Sequence, residues 1–106
     1  MSGVFEVEKL RAQTTSERRY HEFLRIPAMS AGVYVLAAGA ADRQSPHHQD
    51  EIYYAVRGKA KMRIGEHQHL VQAGSVIFVE ALAEHRFFDI EEELVLLVVF
   101  APAESG

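Results

Sequence analysis

An all-β domain, built as an antiparallel sandwich or a closed barrel, is the fold this sequence predicts, and three observations predict it. From Ser30 onward five glycines, Gly32, Gly39, Gly58, Gly65 and Gly74, divide the chain into short pieces. Between them lie runs of strand length rich in β-branched and aromatic residues. Residues 59–64, Lys-Ala-Lys-Met-Arg-Ile, alternate strictly between basic and apolar, the period-two pattern of a strand between core and water. No strand-and-long-helix alternation supports a parallel α/β sheet. A closed or nearly closed barrel is favoured because it leaves fewer exposed edges.

The elements follow in order. Residues 4–10 alternate loosely and suggest an edge strand, a candidate for contact with a second copy. Thr14-Thr15-Ser16-Glu17 reads as a helix start with Ser16 as N-cap, and Tyr20, Phe23 and Leu24 then fall at helical spacing; a strand or loop is the alternative there. Pro27 ends whatever precedes it. Val33-Tyr34-Val35-Leu36, Ile52-Tyr53-Tyr54-Ala55-Val56, Val76-Ile77-Phe78-Val79 and residues 94–100 are each expected as strands. Gly58 and Gly65 bracket the alternating run, and Gly65-Glu66 reads as a turn into a returning strand around Leu70-Val71. The basic residues of that run, Lys59, Lys61 and Arg63, read as a solvated strand face. The expected organisation is an N-terminal segment over 1–29 and a barrel over 30–106.

Composition narrows the function. At 106 residues the chain is one domain's worth, and 48% hydrophobic with 25% charged residues is a globular balance. Eleven Lys and Arg against fifteen Asp and Glu leave −4, without the basic footprint of a nucleic-acid binder. With no cysteine there is no disulfide framework, thiolate metal site, cysteine nucleophile or iron–sulfur cluster. The first residues carry acids where a signal peptide needs a basic start, and the longest apolar stretch, 94–103, is too short to span a bilayer. A cytoplasmic protein with no membrane and no nucleic-acid partner is the expectation.

Metal-ligand residue types crowd together only at Ser45-Pro46-His47-His48-Gln49-Asp50-Glu51. Imidazole and carboxylate suit first-row divalent metals. On one straight strand His47 and Glu51 would be about 13 Å apart, too far to share an ion, so the segment must bend or form a helical turn. Ser45-Pro46 offers a helix start, but the β-branched and aromatic run after Glu51 favours a strand. Downstream, Gly74 opens a segment that delivers His85 after an apolar run.

At these spacings the sequence resembles the cupin superfamily, whose motifs have the forms G-x5-H-x-H-x3-E-x6-G and G-x5-P-x-G-x2-H-x3-N. His47, Glu51 and Gly58 fall on the second histidine, the glutamate and the closing glycine of the first motif; Gly74 and His85 fall on the second. Ser45 replaces the other histidine, Glu80 and Leu82 replace the proline and glycine, and Asp89 stands for the asparagine. The resemblance covers roughly residues 30–101. It implies a double-stranded β-helix, a jelly-roll-like barrel, with one divalent transition metal (Fe, Mn, Zn or Ni) held by His47, Glu51 and His85. Two imidazoles and one carboxylate suit non-haem Fe(II) chemistry. Ser45 or Gln44 would reach the vacated position.

Strand parity with Glu51 and His85 puts Tyr53 and Phe87 on the pocket wall, Tyr53 supplying a hydroxyl, and the apolar face of the alternating run adds Met62 and Ile64. Asp89 continues the His85 face, as a turn residue or as a neighbour of the site. His48 points outward, and His67 and His69 flank a hairpin turn. The resemblance implies a metal-dependent enzyme on a small organic molecule, of oxygenase, isomerase or decarboxylase type; a non-catalytic small-ligand or metal-binding module is the alternative. Similar single-domain proteins pair through edge strands, so a homodimer is expected.

Overall fold

The computed structural model describes residues 2–105. A short helix, α1 (Val7–Arg11), precedes six strands: β1 (Tyr20–Ile26), β2 (Met29–Leu36), β3 (Asp50–Ile64), β4 (His67–Gln72), β5 (Val76–Val79) and β6 (His85–Ala101). All pairings are antiparallel, in the order β1-β2-β6-β3-β4, with β5 on the other side of the first half of β3. Among the described residues no helix is long and apolar enough to cross a membrane.

The long β3–β6 ribbon organises the rest. It pairs from Asp50 opposite Ala101 to Ile64 opposite His85, with register shifts between Ala55 and Lys61. Ile52-Tyr53-Tyr54-Ala55-Val56 and residues 59–64, expected as two strands parted at Gly58, therefore form one. Gly58 does not turn the chain. It sits at φ +108 within the strand, where β6 holds pairs on both sides of it. The next register shift, opposite Ala60, contains Asp89 on β6, exposed at φ +47. Extra residues at such bulges bend a strand and increase its twist.

The core lies on the concave side of this ribbon, with Leu36, Ala55, Ala60, Met62, Phe87, Leu94 and Leu96 all buried. Fully burying a side chain the size of Leu or Met stabilises a fold by about 1.5–3 kcal/mol. The opposite face of residues 59–64 is charged, as the alternation predicts, and Lys59 and Lys61 lie 3.5 Å from Glu91 and Asp89.

The N-terminal elements are exchanged relative to expectation. Residues 7–11 form the helix in place of an edge strand. One short turn is marginal alone, but Glu8 pairs with Arg57 at 2.8 Å and Arg11 with Glu93, tying α1 to the sheet. The helical spacing of Tyr20, Phe23 and Leu24 is overridden, because β2 has a free edge that residues 20–26 fill, with Tyr20 opposite Tyr34 and Ile26 opposite Met29. The capping chemistry upstream survives as a turn, in which Thr15 Oγ1 accepts from the backbone N–H of Arg18 at 2.9 Å. Pro27 and Ala28 make the hairpin turn into β2.

Candidate metal centre

Glu51 enters at the start of β3 and His85 at the start of β6, opposite ends of the ribbon. Glu51 and Ile64, the register partner of His85, would be about 43 Å apart on a straight strand at ~3.3 Å per residue. Instead His85 Nε2 lies 3.2 Å from Glu51 Oε1. The ribbon rolls back on itself, and the bulges at Gly58 and Asp89 are where its register breaks. His47 arrives from the irregular segment before β3, so the bend required of His47 and Glu51 is present and no helix forms. Its carbonyl accepts from the N–H of Leu82 at 2.7 Å. One ligand atom each from His47, Glu51 and His85 lie within 4.8 Å of one another.

Hydrogen-bond polarity around this group is set by a buried carboxylate. Asp42 only accepts, so Gln44 turns its amide nitrogen to Asp42 Oδ2 at 2.7 Å and its Oε1 toward Tyr53, whose hydroxyl donates at 2.8 Å. The oxygen of Tyr53 is then left with lone pairs facing His85 Nε2 at 3.1 Å. On the far side of the ring, His85 Nδ1–H donates to the carbonyl of Ala83 at 2.8 Å, which leaves Nε2 as the lone-pair nitrogen of the neutral imidazole. Glu51 Oε1, fully buried, accepts no well-aligned hydrogen bond. Three acceptor atoms thus face one point, and a cation is what they lack. Burial opposes charge on His85, but the Glu51 carboxylate and the Ala83 carbonyl outweigh it and hold its pKa above the ordinary 6.5.

Beside this group is a cavity of about 150 Å³ whose walls include Tyr20, Tyr34, Tyr53 and Phe100, with His47, Glu51 and Glu104 at its polar side. The ring of His47 packs edge-on against Phe100, centroids 4.8 Å apart. Of the residues expected on the wall, Tyr53 is there. Met62, Ile64 and Phe87 are not among the lining residues: Met62 and Phe87 are buried in the core and Ile64 packs against it. The alternation correctly turns Met62 inward and parity does so for Phe87, but both are packed in the core, and the cavity beside His47 and Glu51 lies toward Tyr20 of β1 and Tyr34 of β2. Phe87 reaches the site only by packing edge-on against Tyr53.

Gln44 contacts the group, with its Oε1 3.4 Å from His47 Nε2, whereas Ser45 is exposed and lines a separate cavity with Arg63 and His85. His48, His67 and His69 are exposed. Asp89 pairs with Lys61 rather than joining the site. Five contributors escape sequence reasoning: Tyr20, Tyr34, Asp42, Phe100 and Glu104. None carries a motif; their only signal is polar or aromatic identity at positions that pairing brings inward.

Burial raises the hydroxyls of Tyr20 and Tyr34 well above the ordinary phenol value, helped by the charge of Glu104 at Tyr20 and by the bond to Asp42 at Tyr34. A group whose pKa is higher folded than unfolded contributes its full stability below the unfolded value, about 10 for tyrosine, and loses it as pH rises through the folded value. The urea midpoint is therefore expected to fall as pH climbs past about 10, and absorbance titration should show these two phenols ionising only as the fold gives way. Ionisation of all four tyrosines at the ordinary value in the folded protein would contradict this.

Residues 32–100 match the model of the family described as cupin domain. Protein SCO3923 of Streptomyces coelicolor is 43% identical over 102 residues, covering 95% of this chain and 97% of its own. The crystal structure of TT1209 from Thermus thermophilus superposes with a TM-score of 0.77 at 27% identity, covering 94% of this chain and 97% of that one. A conserved Klebsiella pneumoniae protein with a double-stranded β-helix domain gives a TM-score of 0.82 at 17% identity over 100% of this chain and 95% of its own, a likeness of fold alone.

Proposed function

Because this chain belongs to the cupin domain family, we propose that His47, Glu51 and His85 hold one divalent transition metal and that the protein is a metal-dependent enzyme acting on a small organic molecule in the adjoining cavity. The observation that carries this reading is the convergence of buried polar atoms: Glu51 Oε1 lies 3.2 Å from His85 Nε2, the Tyr53 oxygen lies 3.1 Å from that nitrogen, and among the described residues Glu51 Oε1 accepts no well-aligned hydrogen bond. Two imidazoles and a carboxylate leave coordination positions for water or substrate and suit iron, manganese, zinc or nickel. When bound, the metal supplies Lewis-acid polarisation of a carbonyl or a centre for redox chemistry.

The chain's own residues do the remainder. Tyr20, Tyr34 and Phe100 shape an aromatic wall, and a cavity of about 150 Å³ is the size that accommodates a benzene-sized molecule. That size supports a compact aromatic or carbonyl-bearing substrate. Glu104 adds a carboxylate to the polar side, 3.0 Å from His47 Nδ1. Oxygenase, isomerase and decarboxylase chemistry are all compatible with this arrangement.

Metal analysis of protein prepared without an affinity tag is expected to find about one ion per chain in the wild type, within the usual coordination logic of such sites. His47→Ala and Glu51→Ala should lose it while keeping the far-ultraviolet circular dichroism of a β fold. Full metal content in both variants would overturn the ligand assignment. Oxygen uptake by the iron-loaded protein, across small carbonyl and phenolic compounds, then tests for an oxygenase, and product analysis of the same panel tests for isomerisation or decarboxylation. Tight stoichiometric binding without turnover in either assay would make the protein a binding module instead.

A further inference from the structure

The segment after β6 returns to the site. Ala103 N–H donates to the carbonyl of Pro27 at 3.3 Å, Glu104 N–H to Ser30 Oγ at 2.9 Å, and Gln49 Nε2 to Ser105 Oγ at 2.7 Å. These bonds lay residues 103–105 across the start of β2 and the segment before β3. They set the Glu104 carboxylate at the cavity wall, with Oε2 3.0 Å from His47 Nδ1 and its side chain only 22% exposed.

A neutral imidazole carries its proton on one nitrogen, and the neighbour that binds that proton decides which. His47 has an acceptor at each edge: Glu104 Oε2 at Nδ1 and, at 3.4 Å, Gln44 Oε1 at Nε2. Gln44 cannot reverse its amide to donate, because its nitrogen is committed to Asp42. The two acceptors therefore compete for one proton. The carboxylate wins on distance and on charge, since a charge-assisted bond is roughly twice as strong as a neutral one. Gln44 Oε1 is moreover already accepting from Tyr53.

We propose that Glu104 is a positioning residue, holding His47 in the Nδ1–H tautomer so that its Nε2 lone pair faces the side on which Gln44, Tyr53 and His85 lie. The proposal rests on the reading of His47, Glu51 and His85 as metal ligands. His85 is oriented the same way by the Ala83 carbonyl, which the backbone fixes. For His47 the orienting group is a side chain on a segment tied down by three hydrogen bonds, so metal affinity depends on residues more than fifty positions further along the chain.

Two variants test this, Glu104→Leu and Glu104→Gln. The first removes the acceptor; the second keeps an amide oxygen that accepts from Nδ1–H. In metal-free protein at alkaline pH, where imidazoles are neutral, nitrogen-15 correlation spectra are expected to show His47 protonated on Nδ1 in the wild type and the Gln variant, and on Nε2 in the Leu variant. Zinc affinity, measured by chelator competition, should fall about 10–100-fold in the Leu variant and be largely restored in the Gln variant. A wild-type His47 protonated on Nε2, or a Leu variant with unchanged tautomer and zinc affinity, overturns the proposal. Absence of zinc binding in the wild type defeats the metal reading instead, and the tautomer spectra then still decide the role of Glu104.

Discussion

Asp42→Ala is expected to destabilise the protein by about 3–5 kcal/mol, the scale of removing one partner from a buried charged network. Asp42 is 5% exposed and gathers four donors: the Tyr34 hydroxyl at 2.7 Å, Gln44 Nε2 at 2.7 Å, and the backbone N–H groups of Phe87 at 2.9 Å and Gln44 at 3.2 Å. Alanine offers none of these a replacement, and each buried donor left unpaired costs about 1–3 kcal/mol. Against a typical total stability of about 5–15 kcal/mol, the loss is large. It also reaches the candidate site, because Gln44 is freed to rotate and Tyr53 loses its fixed acceptor. Urea unfolding checks the effect through the midpoint at unchanged slope. A change below about 1 kcal/mol, the scale of one ordinary hydrogen bond, would mean that Asp42 does not organise this network.

Gly58→Ala is expected to cost about 2–6 kcal/mol, combining backbone strain of ~1–3 kcal/mol with overpacking of ~1–3 kcal/mol. At φ +108 the glycine is in a region that side chains rarely adopt, and an added Cβ would overlap the Glu93 carbonyl oxygen and lie 2.6 Å from Leu94 Cα. Both neighbours are backbone of β6 and cannot swing aside. Gly65→Ala is the control: it also has positive φ, at +58, but its Cβ would meet nothing within 4 Å, so about 1–2 kcal/mol is expected from conformation alone. Equal losses in the two variants would remove the case for close packing at the Gly58 bulge. The larger loss predicted at Gly58 should be accompanied by weakened metal binding, since the bulge lies where the ribbon bends to bring His85 to Glu51.

Much of this architecture is legible residue by residue. The alternation over 59–64 reports a strand with one wet face because only a period of two separates three basic side chains from Ala60, Met62 and Ile64. The spacing of His47 to Glu51 and Gly58, with Gly74 and His85, marks the resemblance that the family match bears out. The N-terminal thirty residues are less legible for a physical reason. Their helical and strand signals are weak, and the outcome depends on what each segment meets: an open β2 edge for residues 20–26, and Arg57 and Glu93 for α1. Pocket lining is misjudged for a related reason. Parity tells which way Met62 and Phe87 point but not whether the interior there is solid.

The order of side chains along the polypeptide determined the strand content, the inward and outward faces, the absence of thiol chemistry and which residues were candidates to meet a metal. Local patterns carry these because they depend on chemistry and on the two-residue period of a strand. Only the tertiary structure decided that opposite ends of one ribbon touch, that Asp42 sets the polarity of the hydrogen bonds around His85, and that Glu104 stands beside His47. Those facts depend on where a bulge bends two paired strands and on where residues 103–105 come to rest. Each is a sum of many weak contacts between residues far apart in sequence, which no short stretch of the chain contains.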